Sequence, residues 1–245
     1  MDQQEGSFGS ILFTKEGSIA QIALNRPRML NAHNMQMRDE MYQALEAARD
    51  DSDVRCIVLR GEGDKAFCTG ADLTEFGTAP SRVIAREVRW ERDVWGLFLS
   101  IDKPIIAALH GYVLGSGIEM AMLCDLRVAS EDAVFGLPEV ALGMLPAAGG
   151  SQSLPRTVGI SRALEMLLGA GRIGAARAFD IGLVHKVVPG RTLLKEVLAL
   201  AQEVAAYPPQ AVRATKEALR RGLDLPLEQA LQVELHLRAS AISTG

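Results

Sequence analysis

Short apolar runs recur through the first half of the chain, and polar or glycine-rich turns separate them. Ile19–Leu24 (IAQIAL) reads as a strand, stopped by Asn25-Arg26-Pro27. Residues 56–59 (CIVL) and Ile105–Leu109 (IIAAL) are wholly apolar, the pattern of strands buried on both faces of a parallel sheet. Residues 126–129 and 133–135 read as further short strands. Between these runs the period lengthens. Asn34 is placed to cap a helix in which Met37, Met41, Leu45 and Ala48 recur at helical spacing. Ser81 is placed to cap a second helix, with Ile84, Val88, Trp95 and Leu99 along its inner side. Asp102-Lys103-Pro104 ends it, because proline disfavours a helical residue before it. A third helix is predicted from about Ile118, after a cluster of glycines.

After Pro146 the pattern changes. Residues 161–168, 175–181, 192–206, 209–221 and 226–239 all read as helices, the last three separated by the breakers Pro208-Pro209 and Gly222 to Pro226. Strands alternating with helices, followed by helices alone, predict an α/β core over residues 1–190 and a helical C-terminal region over 191–245.

Composition narrows the function classes. A hydrophobic share of 48% over 245 residues is enough for a packed core. The net charge of -4 disfavours broad attraction to nucleic acid or to an anionic membrane. Cys56, Cys68 and Cys124 lie far apart, and none of the four histidines clusters with them, so no metal site is expected. The polar start and the lack of a long apolar run predict a soluble, cytoplasmic protein with reduced thiols.

Three stretches depart from ordinary core or surface sequence: 66–73 (AFCTGADL), 110–119 (HGYVLGSGIE), and 135–139 (FGLPE) running on through Pro146 to Gly149-Gly150. In the second, a strand gives way to small residues and then a helix. N–H groups at such a helix start suit a developing oxyanion, and Glu119 in the first turn is a candidate general base. The same residues also fit a plain strand-to-helix turn with a first-turn acid. Met120 occupies the place of a dinucleotide fingerprint's third glycine, and Ser116 lies outside any GxSxG elbow.

Together these stretches resemble the crotonase superfamily of enoyl-CoA hydratases and isomerases. The resemblance rests on LNRPRMLNA (24–32), AFCTGADL, GYVLGSGIEMAMLCD (111–125), FGLPEVALGMLPAAGGSQSLPR (135–156) and IGLVHKVVP (181–189), in order over nearly the whole chain. It implies a spiral of strand–strand–helix turns with C-terminal helices that trimerise, often as a dimer of trimers. It also implies an enoyl-CoA or acyl-CoA thioester substrate, with coenzyme A entering as part of the substrate and no permanently bound cofactor. By motif position, the backbone N–H groups of Ala71 and Ser116 would form the oxyanion hole. Glu119 would activate water, and Glu139 would protonate the α-carbon. Arg28, together with Ala71, would meet CoA. Lys216, Asp72, Asp125 and His110 read instead as surface, turn or structural residues, and Met120, Met122 and Met144 as core or pocket lining.

The sequence departs from the family pattern in three places. Ser116 stands where a third glycine is usual, and Thr74 where a lysine often contacts CoA. The chain ends at Gly245, where typical relatives continue into a short helix and a basic-aromatic tail. That departure bears on substrate choice more than on chemistry.

Overall fold

The computed structural model describes residues 9–242. The strands form two sheets. The larger combines β1 (Ile11–Glu16), β2 (Ile19–Leu24), β3 (Cys56–Gly61), β5 (Ile105–Leu109), β7 (Leu126–Ser130) and β10 (Lys186–Val188), in the order β1-β2-β3-β5-β7-β10. The smaller combines β4 (Ala66–Cys68), β6 (Tyr112–Leu114), β8 (Val134–Gly136) and β9 (Arg172–Gly174), in the order β4-β6-β8-β9. Among the described residues β1 pairs antiparallel with β2 and β9 with β8; the other six ladders are parallel.

The chain alternates between the sheets. β3 in the large sheet leads to β4 in the small one, β5 leads to β6, and β7 to β8. Helices follow the first two pairs: α2 (Arg82–Glu91) and α3 (Val94–Ser100) after β4, then α4 (Ser116–Leu123) after β6. Each turn is therefore strand, strand, helix.

Both faces of the large sheet are covered, which explains its unbroken apolar runs. On one face Ile57, Leu59, Ile105, Ala107 and Leu109 pack with the small sheet, α1 (Met35–Asp50), α3 and α4. On the other, Cys56, Val58, Ile106 and Ala108 pack beneath Leu193, Val197, Ala201 and Ala205 of α8 (Leu193–Ala206). Asn34 caps α1 by accepting the Met37 N–H, and Met37, Met41, Leu45 and Ala48 are fully buried. Ahead of β10 come α5 (Gly150–Val158), α6 (Ile160–Gly169) and α7 (Ala175–Asp180). After α8, α9 (Pro209–Gly222) and α10 (Leu227–Ile242) form a hairpin.

The single helix expected after Ser81 is two. Asp93 accepts the Gly96 N–H and starts α3 afresh, so Val94, Leu97 and Phe98 turn inward while Ile84 and Leu99 stay exposed. Helix α4 begins at Ser116, two residues before the predicted start. Its first N–H groups are thereby set immediately against the glycine turn.

Candidate active site

Three parallel neighbours of the small sheet, β4, β6 and β8, end at one edge, where α/β folds commonly hold ligands. Ala71 follows β4, Ser116 follows β6, and Glu139 follows β8. Glu119 lies one helical turn into α4. The topology thus brings four of the residues singled out in the sequence to a single cavity of about 290 Å³, closed by Leu142, Met144 and Ala148.

The two loops beneath Ala71 and Ser116 touch. Gly70 has φ +102° and Gly115 φ +53°, a region that glycine enters at little cost. A Cβ on Gly70 would lie 3.6 Å from the Ser116 nitrogen, and one on Gly115 3.4 Å from the Gly70 Cα. The N–H groups of Ala71 and Ser116 donate to no acceptor among the described residues. The Gly70 loop is pinned from behind. His33 N–H donates to Gly70 O at 2.8 Å, Asp72 N–H donates to His33 O at 2.9 Å, and Arg26 pairs with the Asp72 carboxylate at 3.0 Å.

The glutamates occupy contrasting environments. Glu119 is buried, and its Oε1 accepts the Ala148 N–H at 2.9 Å and the Gly150 N–H at 2.8 Å. Two backbone donors hold one carboxylate oxygen and complement its charge. Glu139 is half-buried, and its Oε2 is shielded from solvent with no hydrogen-bond partner among the described residues. Burial, and then the nearby charge of Glu119, push its pKa above the ordinary carboxylate value, against a hydrogen bond from its own backbone. Glu119 is held by two backbone donors, whereas Glu139 binds its proton more tightly than an ordinary carboxylate.

A second cavity of about 630 Å³ shares Ala71, Phe76, Ser116 and Ala148 with the first. It runs between the start of α1 and helices α2 and α3. His33 and Trp95 face each other across part of its wall, with ring centroids 6.0 Å apart.

Three other residues weighed in the sequence lie elsewhere. Arg28 is exposed on the short turn Pro27–Met29 and lines neither cavity. Lys216 is not a surface charge: it is buried, donating to Lys103 O at 2.6 Å and to Asp125 at 2.7 Å. His110 precedes β6, at the opposite end of that strand from Ser116. Met144 lines the smaller cavity, and Met120 is core. The Ala148 and Gly150 donors are not legible in the sequence, although Gly149-Gly150 marks the segment; helix α5, with Pro155 inside it, hides the local geometry.

The pattern of the enoyl-CoA hydratase/isomerase family matches residues 14–245. The chain belongs to the enoyl-CoA hydratase/isomerase family. It is 40% identical over 229 residues to a crotonyl-CoA hydratase of Syntrophomonas wolfei, covering 93% of this chain and 88% of that protein. It is 36% identical over 246 residues to a short-chain-enoyl-CoA hydratase of Clostridium acetobutylicum, covering 96% of this chain and 90% of that one. The structure matches a crystal structure of an enoyl-CoA hydratase from Bacillus anthracis with a TM-score of 0.90 and 34% identity, over 96% of this chain and 92% of the other. The two-sheet spiral is therefore the crotonase fold of this family. Among the described residues no helix is long and apolar enough to cross a membrane, and no cluster of His, Cys, Asp or Glu could hold a metal ion.

Proposed function

We propose that this family member is an enoyl-CoA hydratase that adds water across the 2,3 double bond, with Glu119 and Glu139 as its acid–base pair. The observation that carries this reading is the contrast between two glutamates in one cavity, beside two free N–H groups on touching loops. Ala71 and Ser116 would donate to the thioester oxygen. Glu119 removes a proton from water as its oxygen bonds to C3, and electrons move through C2 onto the thioester oxygen, where the two N–H groups stabilise the charge. Glu139 then gives its proton to C2, and the carbonyl re-forms. Water contributes hydroxide to C3, and the proton it gave Glu119 replaces the one lost from Glu139 when the carboxyls are reset.

Coenzyme A takes part only as the substrate's carrier. Arg28 is exposed and makes no ion pair among the described residues, which leaves its guanidinium available to the CoA nucleotide. We also take the assembly to be a homotrimer or a dimer of trimers. Supporting this, the α9–α10 hairpin exposes Leu219, Leu223, Leu227, Leu231 and Leu235, an apolar surface that calls for cover. Sedimentation should therefore give three or six times the 26.4 kDa chain mass; a monomer overturns the assembly.

The test of the chemistry is loss of the conjugated enoyl-thioester absorbance with crotonyl-CoA. The wild type should yield 3-hydroxybutyryl-CoA. Glu119→Gln and Glu139→Gln should each lower kcat by roughly a hundred- to ten-thousand-fold while keeping the folded circular-dichroism spectrum. A product with a shifted double bond would make the chain an isomerase on the same scaffold. Turnover indifferent to both substitutions would discard the assignment.

A further inference from the structure

The larger cavity is lined by charged as well as apolar side chains. Phe76, Ile84, Val88, Val94 and Trp95 make most of its wall a fit for a hydrocarbon chain, but Arg38 and Arg92 line it as well. Both arginines rely on the same carboxylate. Arg38 donates to Asp39 Oδ1 through Nε at 3.0 Å and Nη2 at 2.8 Å, and Arg92 Nη1 lies 3.3 Å from Asp39 Oδ2. Two guanidiniums on one carboxylate leave N–H donors to spare. Arg38 is mostly buried, at 16% side-chain exposure, so water screens it poorly.

The other acids of the wall are engaged. Asp72 pairs with Arg26 and accepts from Thr74, Glu75 accepts the Met35 N–H at the start of α1, and Asp93 accepts the Gly96 N–H at the start of α3. His33, in the same wall, lies near guanidiniums. Burial first, then Arg38, then Arg26 lower its pKa to about 4, and no carboxylate raises it.

We propose that this cavity, lined by Arg38 and Arg92, binds an acyl chain that itself ends in a carboxylate, so that the preferred thioesters carry a dicarboxylic acyl group. The inference rests on the reading that a CoA thioester sits at Ala71 and Ser116. From there the acyl chain passes along Phe76, His33 and Trp95, and its terminal carboxylate meets the guanidinium donors that Asp39 leaves unused. A planar fork facing a carboxylate gives a charge-assisted, directional contact that a methyl end cannot make.

The experiment is calorimetric binding of two saturated, non-reacting thioesters of equal chain length, hexanoyl-CoA and adipoyl-CoA. Adipoyl-CoA should bind the wild type at least about tenfold more tightly, the scale of one charge-assisted hydrogen bond. Arg38→Met and Arg92→Met should each bring that ratio close to one. Arg92 is at the surface, with 43% side-chain exposure, so its replacement tests the idea even if Arg38→Met folds poorly. Asp39→Asn, which releases both guanidiniums, should hold or raise the ratio. Equal binding of the two thioesters, or a ratio unmoved by both arginine substitutions, overturns the inference while leaving the hydratase reading intact. Failure to bind either thioester overturns both.

Discussion

Glu119 and Glu139 begin as the same side chain and are made different by what surrounds them. Glu119 is held through one oxygen by the Ala148 and Gly150 N–H groups; Glu139 keeps Oε2 shielded and unpartnered. The raised pKa of Glu139 has a consequence for stability. Its protonated form is favoured by folding, so the associated stability is full below the unfolded carboxyl value of 4.5 and is lost as pH rises through the higher folded value. Glu139→Gln resembles the protonated acid at every pH. Its Tm should therefore exceed the wild type's at pH 8, and the gap should close on approach to pH 4. A constant gap, or a Tm below the wild type's at pH 8, would show that the buried carboxyl carries no such penalty. For the proposed hydration the same sign applies: the rate should fall as pH rises and Glu139 loses the proton assigned to it. Taken alone, Glu119 fits a plain first-turn acid equally; both glutamates are picked out in the sequence through the family resemblance, which supplies their motif positions. His33, Arg38 and Trp95 are not, because the wall they form joins the start of α1 to α3 across some sixty positions of chain.

At the scale of elements, legibility follows burial. Strands covered on both faces, such as β3 and β5, stand out as apolar runs, and α1 and α8 carry a clear inward stripe. Strand β1 carries no such signal because it is an edge with only Ile11 buried, so most of its residues owe nothing to the core. The small sheet is hard to read for a different reason. Strands β4, β6, β8 and β9 have three residues each, and β10 in the large sheet is as short, too brief for a period to show. Yet the ends of these short strands position Ala71, Ser116 and Glu139. Here the motif carries more information than the periodicity, since glycines and acids are required by the turn and the site and not by the strand. The break between α2 and α3 shows the converse. An apolar spacing that looks continuous from Ile84 to Leu99 hides a capping aspartate, Asp93, which resets the phase so that Leu97 and Phe98 are buried.

Over the whole molecule, the catalytic part and the C-terminal hairpin meet through a polar latch. Asp125, at the junction of α4 and β7, accepts the Ile105 N–H at 2.8 Å, Lys216 of α9 at 2.7 Å and Arg220 of α9 at 3.2 Å. Lys216 also reaches Lys103 O, and the buried Lys103 ammonium in turn donates to Ala48 O and Asp51 O at the end of α1. The sequence marks Asp125 only as a turn or structural residue; its partners on α9 lie more than ninety positions away and leave no local signal. Burial pulls the Lys216 pKa down, and Asp125 opposes that shift, so the pair is interdependent. Asp125→Ala would leave a buried ammonium without its counter-ion. With Asp125 itself 24% exposed, the expected loss is about 2–4 kcal/mol, below the range for a fully buried pair. Urea denaturation should show the lower midpoint, and limited proteolysis should cut first between α8 and α9. Adding Lys216→Met should recover part of the loss, because the uncompensated charge is then gone and the coupling between the two positions becomes measurable. An unchanged midpoint in Asp125→Ala would mean that the hairpin is held by its apolar contacts instead. Neither cavity of the site is lined by any residue beyond Ala148, so loosening the latch should register in stability and assembly before it registers in rate.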